Sequence, residues 1–363
     1  MPFFIRVEGM PARHETPPPQ VPVPHESLWF PAGDVILATE WFLFKVHKDI
    51  LSTQSSVFKD MFDFPAVNDV EMRENRAERS VDVYEGLPMV TMVGDKGKDV
   101  VRLLRTVYER QYYRRDDRRT PLETIIALLR LSTKYDFKHI QADVIMQISK
   151  EYPLNIDAYE KLDKWDAPTF GQRREYCHFD LLKHAYELKV DGLLPILYYA
   201  CATFNSTRIF IYTYDGRLDP DCLGILIRGK SNLDFAVTDY LGKLPDLVHD
   251  VASECTANLN CRNKARVTDM GGLVAGNAAS KLRIFHGDYV VHFHVKNTCL
   301  ACDKKIKEVL DKQRLEIWEK VPSYFSFKDW DQARERLAEF ESSVAADEVE
   351  QVRSISLLGL ERL

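Results

Sequence analysis

The chain has 363 residues, of which 45% are hydrophobic and 29% are charged, which is typical of an ordinary globular protein. This length allows two domains that each bury a core of their own. The formal net charge of -6 argues against a dedicated nucleic-acid-binding protein, because such proteins present a basic surface. The longest apolar run, at 193–204, is too short to span a bilayer.

The N-terminus is rich in proline, and residues 1–26 are therefore predicted to form an extended, disordered leader. Residues 1–24 lack the basic start, apolar centre and cleavage site of a secretion signal. The seven cysteines are too scattered for a disulfide framework. We therefore expect a reducing compartment, either the cytoplasm or the nucleus.

The next segment alternates between strand and helix patterns. Residues 35–38 and 90–93 are predicted strands. From Val100 the apolar positions follow the spacing of one helix face. Thr120 and Glu123 form a predicted capping box at the start of another helix.

Asp136 is then predicted to cap a second helix, which ends before Pro153. These two helices would form a helical hairpin.

The most specific pattern lies between Phe44 and Phe62. It has the form Phe-x-Val-His-Lys-x-Ile-Leu at 44–51, followed by Ser-x-Val-Phe-x-x-Met-Phe at 55–62. This pattern resembles the signature of the BTB (POZ) domain, which would occupy residues 27–153. Leu131–Tyr135, with the form Leu-Ser-x-Lys-Tyr, is especially similar to the fungal group of BTB proteins.

The resemblance implies a three-stranded sheet flanked by helices, in a domain that often forms homodimers. In dimerising members, an acidic residue before the first core strand faces a basic residue after the histidine. Asp34 and Lys48 occupy these positions and are predicted to form a dimer-interface pocket. Ordinary surface charge is the alternative interpretation of both residues.

The resemblance also implies a surface for partner proteins, which would include Phe58, Met61 and Phe62. Some family members bind a cullin and recruit substrates for ubiquitination. Their contact region follows the Phe-x-x-Met-Phe helix and often contains an apolar-x-acid triplet, which Met72 and Glu74 fit. Binding to a cullin is therefore an alternative to simple self-association.

Residues 154–363 are predicted to be a helical C-terminal region with a small β element. Residues 208–214 and 289–295 alternate enough to be strands, and 268–280 is predicted to be a flexible loop. Two amphipathic helices, at 303–320 and 329–341, are predicted on either side of Pro322. The fold class is therefore α+β and mostly helical.

Four cysteines between residues 255 and 302 indicate a small metal-binding module. Cys299 and Cys302 have the Cys-x-x-Cys spacing of two zinc ligands, and Cys255 and Cys261 could supply two more thiolates. The favoured alternative is four free cysteines in a reducing core, because cysteine is readily buried. Both interpretations stay open on the sequence alone.

His292 and His294 are predicted to lie on one face of a strand, with His286 close by. Metal-dependent oxygenases with a cupin-type barrel use a His-x-His pair of this kind, so a metal-dependent enzyme at 286–302 is a further alternative. The acidic ligand that these oxygenases place a few residues later is missing from this sequence. Other catalytic templates are also missing from the sequence. We therefore predict a self-associating adaptor that is not an enzyme and that binds proteins rather than nucleic acid or membrane.

Overall fold

The computed structural model describes residues 21–63, 82–164, 168–214, 217–257, 259–275 and 282–342. Within these ranges the chain is mostly helical and contains one five-stranded and one two-stranded sheet. The predicted α+β, mostly helical class is confirmed.

The larger sheet lies in the N-terminal third of the chain. Its strands are β1 (Val23–Trp29), β2 (Val35–Ala38), β3 (Phe42–Val46), β4 (Val83–Tyr84) and β5 (Leu87–Thr91). Their order is β1-β3-β2-β5-β4, with β2 antiparallel to β3 and parallel to β5. The three central strands correspond to the expected three-stranded sheet, and β1 and β4 extend it at the edges.

Strand β2 is buried on both faces, which explains why all four of its residues are apolar. Val35 and Leu37 belong to the main core. Ile36 and Ala38 pack with Leu43 in a small second cluster on the other face.

Strand β1 begins inside the range 1–26 that the proline content assigns to a disordered leader. The Val23 N–H donates to the Trp41 carbonyl at 3.1 Å, and Leu28 is fully buried. Pairing with β3 and burial of Leu28 therefore outweigh composition in residues 23–26. Residues 1–20 lie outside the described ranges.

The helices of the N-terminal half cover one face of the sheet and continue beyond it. They are α1 (Lys48–Gln54), α2 (Ser56–Asp63), α3 (Gly97–Tyr108), α4 (Leu122–Lys134), α5 (Lys138–Glu151), α6 (Ile156–Lys164), α7 (His178–Glu187) and α8 (Leu194–Ala202). Helices α4 and α5 form the predicted hairpin.

Neither predicted cap of this hairpin is present. Helix α4 has Pro121 at its N-cap without a side-chain bond, and the Leu122 N–H donates instead to the Phe170 carbonyl at 3.1 Å. A main-chain group from a later segment thus takes the place of Thr120. Asp136 has a positive φ of 52° and accepts from the Ser56 hydroxyl, so it does not cap α5.

The C-terminal half is built from eight further helices, two short strands and one short 3-10 turn in the described ranges. The helices are α9 (Ser206–Thr213), α10 (Pro220–Gly242), α11 (Leu244–Ser253), α12 (Leu259–Lys264), α13 (Met270–Ala275), α14 (Gly287–His294), α15 (Leu300–Tyr324) and α16 (330–342). Strands β6 (Arg266–Val267) and β7 (Val295–Lys296) pair antiparallel. The 3-10 turn of this half is Leu282–Phe285, and another, Arg174–Tyr176, lies between α6 and α7.

Both strands predicted in this half are wrong, because the segments are helices. Residues 208–214 fall largely in α9, where the Asn205 side chain caps the Arg208 N–H at 2.8 Å. Residues 289–294 lie in α14, which starts where the His286 ring accepts from the Asp288 N–H. Capping and helix packing override the preference of alternating β-branched and aromatic residues for strands.

The predicted flexible loop at 268–280 contains helix α13, and residues 276–280 lie outside the described ranges. Helix α15 continues past the predicted end at residue 320 and includes Pro322 in its last turn. Proline leaves the carbonyl of Trp318 without its helical donor. The indole of Trp330, at the start of α16, donates to that carbonyl at 2.8 Å and so replaces the lost bond.

The main hydrophobic core is continuous from Leu28 to Leu337. The predicted domain boundary at residue 153 falls within it and stays a prediction. A polar contact also crosses this boundary, because the buried Glu151 carboxylate accepts from the Thr169 hydroxyl at 3.0 Å.

Candidate functional site

The predicted acid–base pair lies where the chain leaves β3 and enters α1. Asp34 precedes β2, and its carboxylate accepts from the backbone N–H of Lys48 at 2.8 Å. Antiparallel pairing of β2 with β3 brings the two positions together. Asp34 is exposed and Lys48 is half-buried, so both charges are accessible on the single chain.

A group of aromatic rings packs at the junction between β3 and α1. Phe30 stacks on Tyr108 with ring centroids 4.6 Å apart, and the Tyr108 hydroxyl accepts from the His47 N–H at 3.0 Å. Burial raises the pKa of Tyr108, so its hydroxyl stays protonated. These contacts fix the backbone that precedes Lys48.

The residues predicted to contact partners differ in exposure. Phe58 is fully buried and stacks on Tyr135 at 5.0 Å, so its assignment to a partner surface is wrong and it is a core residue. The Met61 and Phe62 side chains are half-buried at the end of α2. The Lys48 ammonium lies 6.0 Å from the centroid of the Phe62 ring. Met72 and Glu74 lie outside the described residues.

The burial of Phe58 has a local cause. The hydroxyl of buried Ser55 accepts from the Phe58 N–H at 3.0 Å and donates to the Tyr135 carbonyl. Ser55 thus starts α2 and joins it to the α4–α5 hairpin.

Asp95 is a residue that sequence reasoning missed. Its buried carboxylate accepts from the Tyr135 hydroxyl at 2.5 Å and pairs with the Lys134 ammonium at 2.7 Å. Lys134 and Tyr135, the last two residues of the Leu-Ser-x-Lys-Tyr pattern, therefore both bind the Asp95 carboxylate. No pattern around Asp95 distinguishes it from a loop aspartate.

The four predicted cysteine ligands converge in the C-terminal half. The Sγ atoms of Cys255, Cys261, Cys299 and Cys302 all lie within 4.8 Å of one another. Those of Cys255 and Cys299 are 3.8 Å apart, which is far longer than a disulfide bond of about 2.05 Å. We call these four residues the cysteine cluster.

The short elements around the cluster bring its members together. Cys255 follows the end of α11, Cys261 lies in α12 and Cys299 is the N-cap of α15. Pairing of β6 with β7 aligns the last two regions. The Asn297 side chain reinforces this pairing by donating to the Lys264 carbonyl at 3.0 Å.

The thiols of the cluster are not equivalent. The backbone N–H of Cys302 is the main cause that lowers the pKa of the Cys299 thiol to about 7. Burial raises the pKa of Cys302. The Cys261 sulfur accepts from the Cys299 N–H at 3.1 Å, which is a favourable contact for a thiolate.

The nearby histidines are not arranged as predicted. His292 and His294 lie in helix α14, where residues two apart do not share a face. His292 is exposed, whereas His294 is buried with Nδ1 3.3 Å from the Thr268 carbonyl. In the part of the chain that the structure describes, only the cysteine cluster groups three or more metal-binding side chains.

None of the described helices combines the length and apolar character needed to cross a membrane.

Comparison with known proteins supports one assignment. Residues 32–151 match the family model of the BTB/POZ domain, which is a protein–protein interaction module. Neither a curated protein nor a solved structure matches the chain. The matched range contains β2 to β5 and α1 to α5, and therefore includes Asp34, Lys48 and the α4–α5 hairpin.

Proposed function

We propose that the BTB/POZ domain at residues 32–151 makes this protein an adaptor that self-associates and presents a surface to other proteins. The observation that carries the proposal is the accessible pair of Asp34 and Lys48. The Lys48 ammonium lies 6.0 Å from the centroid of the half-buried Phe62 ring, and half-buried Met61 precedes Phe62 at the end of α2. Protein interfaces commonly combine apolar side chains with charges that determine which partner binds and in which register.

The proposed mode of self-association places the Asp34 carboxylate and the Lys48 ammonium in the interface between two copies. A charge pair enclosed in this way adds specificity more than affinity, because desolvation offsets much of its attraction. Affinity would come from the apolar side chains beside it.

The test replaces both charges, with Asp34→Asn and Lys48→Gln in one variant. The asparagine oxygen can still accept from the Lys48 backbone N–H, so the fold is retained. We expect the dimer to dissociate about 10-fold more readily, which corresponds to ~1.4 kcal/mol. Light scattering and sedimentation over a concentration series measure this change.

A matched control uses the exposed pair of Asp239 on α10 and Lys243, the C-cap of this helix, whose charged atoms are 2.6 Å apart. The double change Asp239→Asn and Lys243→Gln removes the same charges and should leave association unaltered. A wild-type chain that stays monomeric at the highest concentration refutes self-association. Equal weakening in both variants refutes the role of the Asp34 pocket.

A second candidate function is that of a substrate adaptor in a cullin-type ubiquitin ligase. Its support is the half-buried Met61 and Phe62, which directly precede the segment with Met72 and Glu74. We expect Met61→Glu to abolish retention of the chain on an immobilised cullin. Ile227→Glu, at an exposed apolar position on α10, is the control. No retention of the wild-type chain removes this candidate.

A metal-dependent enzyme at 286–302 has weaker support. In the described ranges no histidine joins the cysteine cluster, and a site with four thiolates has no open position for a substrate. We therefore propose that the chain is not an enzyme.

Two further proposals concern the setting of the protein. The form of Leu131–Tyr135 supports a relationship with fungal BTB proteins. Seven unpaired cysteines support a cytoplasmic or nuclear location, where thiols stay reduced. Imaging of the tagged full chain tests the location.

A further inference from the structure

We propose that Cys255, Cys261, Cys299 and Cys302 bind one structural Zn²⁺ ion through four thiolates. The first argument is geometric. A tetrahedral site with Zn–S bonds of about 2.3 Å places its sulfur atoms about 3.8 Å apart. The Cys255 and Cys299 sulfur atoms have this separation, and all four Sγ atoms lie within 4.8 Å of one another.

The second argument concerns the positions of the four cysteines along the chain. They come from separate parts of the chain, at the end of α11, in α12 and at the start of α15. The other three cysteines, Cys177, Cys201 and Cys222, are buried among apolar residues outside the cluster. The cluster thus differs from ordinary burial of cysteine as a small apolar side chain.

The third argument concerns the surroundings of the sulfur atoms. The Cys299 N–H donates to the Cys261 sulfur, and such bonds stabilise thiolates at metal sites. Cys302 lies in the first turn of α15, where the helix dipole favours negative charge. Lys305, three residues after Cys302, pairs at 2.7 Å with Glu254, the residue before Cys255, and so links two of the chain segments that carry the cluster.

The fourth argument concerns stability. Between Cys255 and Cys302 the described elements are short, with β6 and β7 of two residues each, α12 and α13 of six residues each and α14 of eight. Elements of this size bury little apolar surface and commonly need a metal or a disulfide. A zinc ion would join them to the long helix α15.

A thiophilic metal fits these donors better than magnesium or calcium. Four thiolates in a closed tetrahedron suit zinc or iron, whereas oxygen ligands would be required for magnesium or calcium. The buried position and the absence of a fifth ligand in the described surroundings indicate a structural role rather than catalysis.

The first experiment measures zinc and iron in the full-length chain, purified under reducing conditions without chelators. We expect about one zinc per chain and little iron. Cys261→Ser and Cys302→Ser should each lose the zinc, and Cys201→Ala, at a buried position outside the cluster, should keep it. Cys299→His should retain more zinc than Cys299→Ser, because imidazole can replace a thiolate as ligand.

The second experiment does not depend on any variant. Removal of the metal with a chelator from the wild-type chain should increase proteolytic cleavage between residues 255 and 302. Residues 32–151 should stay protected. Less than a tenth of an equivalent of zinc in the wild-type chain overturns the proposal. Iron in place of zinc, or disulfide bonds between these cysteines under reducing conditions, also overturns it.

Discussion

Gly224 and Gly229 lie in the same helix, α10, but their surroundings differ. A Cβ atom at Gly229 would lie 1.9 Å from Cδ1 of Phe325, whereas nothing lies within 4 Å of one at Gly224. Phe325 is fully buried and stacks on Tyr198 at 5.4 Å. The missing side chain at Gly229 therefore lets α10 pack closely on the end of α15.

We expect Gly229→Ala to lower the free energy of unfolding by ~1–3 kcal/mol, because the Phe325 ring must move in a packed core. Gly224→Ala should be neutral or stabilise the chain by up to ~1 kcal/mol, because alanine favours the helix. Urea unfolding followed by circular dichroism compares them. A Gly229→Ala chain as stable as the Gly224→Ala chain contradicts this account.

At the residue scale, spacing predicts sites when the ligands are rare residue types. Cys299 and Cys302 suggest a metal pair from their separation, the sequence also offers Cys255 and Cys261, and the fold brings all four sulfur atoms together. Asp95 could not be found in this way, because its importance depends on Tyr135 and Lys134, which are distant in sequence. Phe58 was misassigned because a motif does not show which side of a helix is buried.

At the element scale, one ion pair joins α6 of the N-terminal half to α15 of the C-terminal half. Arg314 on α15 is only 3% exposed, and its Nη1 donates to the Glu160 carboxylate on α6 at 2.5 Å. Glu160 is also buried. Arg314 also lies 3.6 Å from Asp157 and 3.9 Å from Asp311, but these carboxylates are farther away and more exposed. Loss of Glu160 would therefore leave the buried guanidinium without its closest partner, which is costly.

We expect Glu160→Gln to destabilise the chain by ~3–5 kcal/mol. Glu308→Gln changes an exposed pair on the same helix α15 and should cost less than ~1 kcal/mol. Adding Arg314→Met to Glu160→Gln should recover part of the loss, since no buried charge remains. Chemical denaturation measures all three variants. Similar losses for Glu160→Gln and Glu308→Gln would contradict the importance of the buried pair.

Prediction of elements succeeds where burial follows a simple period. The all-apolar β2 and the helix faces of α3 to α5 were predictable because their side chains repeat along one or two faces. Helices α9 and α14 were not, because β-branched and aromatic residues suit strands until caps and neighbouring helices decide otherwise. Pro322 was predicted to separate two helices, but the Trp330 indole satisfies the carbonyl that proline leaves free.

At the scale of the whole molecule, the BTB/POZ region and the following helices share one core. Leu122 at the start of α4 bonds to Phe170, and the Arg174 side chain donates to the Glu151 carbonyl at 3.0 Å. The family match ends at residue 151, but these contacts continue past it.

We therefore expect a fragment of residues 21–153 to melt at least ~5 °C below a fragment of residues 21–204, which keeps α7 and α8. The shorter fragment should also aggregate, because the core faces of α4 and α5 lose their cover. Thermal unfolding and size-exclusion chromatography compare them. Equal melting temperatures would establish residue 153 as the end of an independent domain.

The shared core also constrains folding during synthesis. A nascent chain can pair β2 with β3 as soon as both strands leave the ribosome, because they are neighbours in sequence. The N-terminal region cannot complete its interior until Thr169 and Arg174 have followed, which takes on the order of several seconds at ordinary rates of translation. During that interval the carboxylate of Glu151 lacks its hydrogen bond from the Thr169 hydroxyl. The incomplete chain would be a natural client for chaperones.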